Sequence, residues 1–96
     1  MVSYNSISIP HLIKGTMHES HLLENIFAYL DREEKQSSRR ISKIHISLSE
    51  FGGINEEHFR EHYRKDSLGT KWENLQLQIT KIPYGPELEI IKLDFA

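Results

Sequence analysis

Apolar residues recur at helical spacing from Leu22 through Leu23, Ile26 and Phe27 to Leu30, which predicts one buried stripe on an amphipathic helix. Thr16 and Glu19 stand three apart as a capping box requires, so the helix is predicted to start at Met17 or within two residues of it. No proline or glycine interrupts it before Gln36-Ser37-Ser38, which places its end near Glu34 or Lys35. From Ile41 the period changes to two. Ile44, Ile46 and Leu48 face one way, and Lys43, His45, Ser47 and Ser49 face the other, as in a strand with one wet face. On that pattern His45 is a solvent-side residue.

Gly52-Gly53 breaks the strand, and Asn55 with Glu56-Glu57 makes a helix entry, since a side-chain acceptor and two carboxylates meet the positive helix end. The second helix, 55 to 67, has a thin apolar face of Phe59 and Tyr63, helped by the ring of His62, and closes at Leu68-Gly69-Thr70. A second alternating run sets Leu75, Leu77 and Ile79 against Gln76, Gln78 and Thr80. Pro83-Tyr84-Gly85-Pro86 is a turn, and 88 to 95 reads as a third strand, the two forming a hairpin. Both change face near the turn, at Ile79 to Ile82 and at Ile90 to Ile91, which calls for a bulge or a strong twist. Ser6-Ile7-Ser8-Ile9 alternates like a short strand, and Pro10 confines such a strand to an edge or a strand end. The predicted fold is α/β in the α+β sense: two helices packed on a small three-stranded sheet with an extra N-terminal edge strand.

With 96 residues, the chain suits one domain, read here as residues 17–96 preceded by an extension, 1–16. At 38% hydrophobic and 27% charged it is of globular composition. A net charge of -2 gives no electrostatic reason to expect nucleic acid or an anionic membrane as partner. The absence of cysteine excludes disulfides, thiolate metal sites and cysteine nucleophiles together. No signal-like segment or membrane-length apolar run is present, so a cytoplasmic protein is expected.

Six histidines supply candidate metal ligands. His18 and His21 are three apart at the head of the first helix with Glu19 beside them, and His58 and His62 are four apart on the second. His58-Phe59-Arg60-Glu61-His62 matches the H-x-x-E-H pattern of inverted zinc proteases, whose glutamate activates water. Such a zinc hydrolase also needs a third ligand and a cleft, which the 34 residues after His62 do not evidently supply. Glu33-Glu34 and Glu56-Glu57 read as a solvated helix face and a helix start. Trp72 and Tyr84 read as packing anchors in loops.

From Met17 to Phe95 the chain resembles the HypA family, the nickel chaperones of hydrogenase maturation. Met17-His18-Glu19 followed by Leu22 and Leu23 is similar to the family's opening MHE and first helix. The run from Ser42 to Phe51 resembles its first strand, and Gly53-Ile54 with the helix 55 to 67 and Gly69-Thr70 keeps its spacing. Leu75 to Ile79 and Leu88 to Leu93 resemble its last two strands.

The resemblance implies nickel as cargo, with Met17, His18 and Glu19 as its ligands, no catalytic residues and no resident zinc. An amine, an imidazole and adjacent amides suit the planar nitrogen geometry that nickel accepts. It also implies a protein partner, a nickel-delivery GTPase or another hydrogenase or urease maturation factor. Two departures stand out. Sixteen residues precede Met17, and the family's zinc module, with its two C-x-x-C pairs, is replaced by the turn at Pro83-Tyr84-Gly85-Pro86. The competing expectation is a metal-free protein-interaction module of the same fold, with homodimerisation through an exposed strand edge.

Overall fold

The computed structural model describes residues 7–8 and 19–96. Within them the chain runs β1 (Ile7–Ser8), α1 (Glu19–Ser37), β2 (Ile41–Ser49), α2 (Glu56–Ser67), β3 (Gln76–Ile82) and β4 (Leu88–Phe95). Thr16, Met17 and His18, which carry the predicted cap and two of the predicted ligands, lie outside the described residues.

The predicted α+β class holds. The helices pack on a mixed sheet of three long strands, to which β1 adds a two-residue edge, giving the order β1-β4-β2-β3. α1 buries Leu22, Leu23, Ile26, Tyr29 and Leu30. It continues to Ser37, past the predicted end, and stops where Ser38 turns left-handed at φ 57° while its amide still donates to the Glu34 carbonyl. α2 begins as predicted, with the Asn55 side chain accepting from the His58 amide at 3.0 Å, and buries Phe59, Tyr63 and Ser67. Phe27 of α1 meets the ring of Tyr63 edge-on at 5.5 Å and stacks against Trp72, tying the two helices to the segment before β3.

The hairpin is not formed. β3 pairs in parallel with β2, and β4 pairs antiparallel with the other side of β2, so β2 lies between the two strands that the turn at 83–86 connects. The reason is in β2 itself, where Ile46, Ser47 and Leu48 are buried in succession. A strand enclosed on both faces is best placed centrally, with its backbone groups paired on both sides. Adjacent strands are about 4.8 Å apart, so the connection has only about 10 Å to cross. It is held over the end of β2 by hydrogen bonds from the Glu50 amide to the Ile82 carbonyl, 2.8 Å, and from the Ser49 amide to the Glu87 carbonyl, 3.2 Å.

One of the two predicted face changes is a true bulge. Opposite β2, the register steps from Lys92 to Ile90 while the partner moves only from His45 to Ile46, leaving Ile91 as the extra residue. Leu88 and Ile90 before it, and Leu93 after it, are therefore all buried in spite of their opposite parity. A second shift leaves Ser42 extra in β2, which brings Ile41 to the same core face as Ile44. β3 keeps an unbroken register to Ile82, so no bulge is needed there. Gly85 at φ 133° completes the connection, and a Cβ at that position would meet Ile82 Cδ1 at 2.9 Å.

Candidate metal centre and the polar face of the sheet

Of the predicted ligands Met17, His18 and Glu19, only Glu19 falls among the described residues, as the first residue of α1. His21, two residues on, is exposed, while Leu22 and Leu23 turn into the core. His21 therefore lies at the surface, and its predicted companion His18 is outside the described residues.

On α2, His58 and Glu61 are exposed and His62 is half-buried. Among the described residues no group of three or more histidine, aspartate and glutamate side chains is arranged to hold a metal ion. Glu61, His58 and His62 thus match the protease pattern in letters, and among the described residues no third ligand stands with them.

His45 departs from its predicted solvent-side position. Its side chain is only 14% exposed, and Nε2 lies 3.0 Å from Asp94 Oδ2 on the adjoining β4. The two meet because the antiparallel register sets Lys43 opposite Asp94 and His45 opposite Lys92, so all four share the sheet face turned away from the helices. The hydrogen bond from His45 holds the Asp94 carboxyl below the usual carboxylate range, against the opposing effect of partial burial, with Lys92 and Lys43 assisting. Ser47, on the same face, is buried, and its hydroxyl has no hydrogen-bond partner among the described residues. This face is therefore not the wet one that alternation alone suggests.

Glu34 is likewise no member of a solvated helix face. Its Oε2 accepts from the Ile41 amide at 2.7 Å and its Oε1 lies 2.8 Å from Lys71 Nζ, with the side chain 11% exposed. Partial burial works against its ionised form. The Lys71 ammonium and the Ile41 N–H outweigh that and hold the carboxyl below its ordinary range. Lys71 also stands 4.8 Å above the ring of Trp72, which is buried as the predicted packing anchor. Tyr84, predicted as another anchor, is 85% exposed instead, and so is Phe51, at 84%, on the loop bonded to the same connection.

A family model described as hydrogenase/urease nickel incorporation, metallochaperone, matches residues 17–87. The chain belongs to the HypA family. No curated protein matches it. The HypA match begins at Met17, the first residue of the predicted ligand run, and takes in α1, β2, α2 and β3. The HypA family is one of hydrogenase/urease nickel-incorporating metallochaperones, and within this fold the contacts of His45 with Asp94 and of Glu34 with Lys71 tie its elements together. They were missed in the sequence because each joins residues far apart along the chain. The one local signal was the placing of His45 between two other polar positions on an alternating strand.

Among the described residues no helix is long and apolar enough to cross a membrane.

Proposed function

We propose that the chain is a cytoplasmic nickel-binding accessory protein that serves the maturation of a hydrogenase or a urease, and that it is not itself an enzyme. The observation that carries this reading is the HypA match over residues 17–87. Nickel is the cargo, taken by Met17, His18 and Glu19, the last of which opens α1. An imidazole, a carboxylate and main-chain nitrogens form a donor set that nickel accepts without sulfur. The domain spans 17–96, with 1–16 as an extension. The partner is a protein, a nickel-delivery GTPase or a maturation factor. The test is isothermal titration with nickel chloride for the 96-residue chain and for one beginning at Met17. Binding by at least one form, weakened by His18→Ala, is expected. No binding by either form, or binding indifferent to His18→Ala, refutes the reading.

A second reading is favoured by the exposed rings of Phe51 and Tyr84 at one end of the sheet: a metal-free protein-interaction module of the HypA fold. In that case neither form takes nickel. The outer edge of β3, unpaired among the described residues, would then serve for association with a second copy, which sedimentation would show as a dimer.

A further inference from the structure

We propose that His58 and His62 form a second metal site, a two-imidazole clamp for a borderline divalent transition-metal ion on the outer ridge of α2. The site goes beyond the nickel-carrying reading and uses none of its residues.

The geometry is that of a regular helix. Residues four apart on a helix have Cβ atoms about 5–6 Å apart on one ridge, within the reach of two imidazoles closing on one ion. α2 is well defined at this point, because Asn55 caps it through the His58 amide and the buried Phe59 and Tyr63 fix its rotation on the sheet. That rotation leaves His58 exposed and His62 half-buried. The cation between the two histidines is drawn aside. Arg60 is bonded to Glu56 at 3.0 Å and reaches the Leu77 carbonyl of β3, at 3.4 Å, which places it on the flank facing the sheet edge.

The chemistry follows from the donors. Neutral imidazole selects nickel, copper or zinc over magnesium or calcium, which prefer oxygen. No third histidine or carboxylate among the described residues closes the site, so water fills the remaining positions. His62 also has a contact of its own within the fold. With only two imidazoles and water as donors, the site loads and unloads readily. It is suited to receiving or passing on an ion, and unsuited to holding a permanent one.

The test uses the full chain carrying His18→Ala, so that any binding seen is independent of the segment in front of α1. Titrated with nickel chloride, this chain is expected to retain a weak site. Adding either His58→Ala or His62→Ala is expected to weaken it about a hundredfold, as loss of one of two linked ligands does. In the unaltered chain, paramagnetic nickel should broaden the imidazole NMR signals of His58 and His62 together. The proposal is overturned if the His18→Ala chain does not bind, if binding survives both further substitutions, or if the two imidazole signals stay sharp. A His18→Ala chain that binds as well as the parent would instead refute the nickel-carrying reading and leave this one standing.

Discussion

Replacing Glu34 by alanine removes one side chain that joins three elements. Its two oxygens take the Ile41 amide at the entry to β2 and the Lys71 ammonium beside Trp72. Ile41 is buried, so its amide is left without an acceptor in a place water reaches poorly, at a cost of about 1–3 kcal/mol. The ion pair adds less than about 1 kcal/mol, because the lysine side chain is 48% exposed and keeps Asp31 at 3.4 Å as a second partner. The sum is about 1–4 kcal/mol. For a domain of this size that lowers Tm by about 5–30 °C. Glu34→Gln keeps an oxygen for the amide and loses only the charge, so it should lose under about 1 kcal/mol. Trp72, buried and the only tryptophan, reports unfolding directly in a urea titration followed by fluorescence. The folded carboxyl lies below its ordinary range, so its contribution is complete above the unfolded-chain pKa and fades as pH falls through the folded one. The gap between parent and Glu34→Gln should therefore narrow steadily as pH falls below the ordinary carboxylate range. Equal losses for alanine and glutamine, or a gap that widens in acid, would refute this account.

Tyr63→Phe removes the hydroxyl that donates to the Trp72 carbonyl at 2.7 Å, and is expected to destabilise by about 1–2 kcal/mol in the same titration, with little change in the far-UV spectrum. Asp94 also has a depressed carboxyl, with His45 as the main cause, so the stability it contributes is present above the ordinary carboxylate range and lost as pH falls through the folded pKa. Comparing urea midpoints of the parent and Asp94→Asn from pH 6 to pH 3 should show the parent ahead at the neutral end and level at the acid end.

The elements were legible because each announces itself locally. The stripe from Leu22 to Leu30, the cap at Asn55 and the parity change at Ile90 to Ile91 all depend on neighbours a few residues away, and the structure keeps all three. Strand partnership is different. Pro83-Tyr84-Gly85-Pro86 states that the chain reverses and says nothing of which strand lies alongside, so the paired hairpin was a fair reading and a wrong one. The error carried over to the polar face, because His45 meets Asp94 only when β4 lies against β2. Glu34 was hidden in the same way, its partners Ile41 and Lys71 lying beyond the end of its own helix. The family-implied ligands were legible as letters, Met17-His18-Glu19, and of these the fold describes only the position of Glu19 at the start of α1.

The connection that passes over the end of β2 makes the two strands it joins independent of one another. Neither β3 nor β4 needs the other to complete its ladder, so the link between them can lengthen without shifting either register. That makes residues 83–86 a natural graft point, where a guest domain could be spliced in or deleted while the host stayed folded. Relatives that carry a whole cysteine-rich module at this place, and a chain that carries four residues, would then share one chassis.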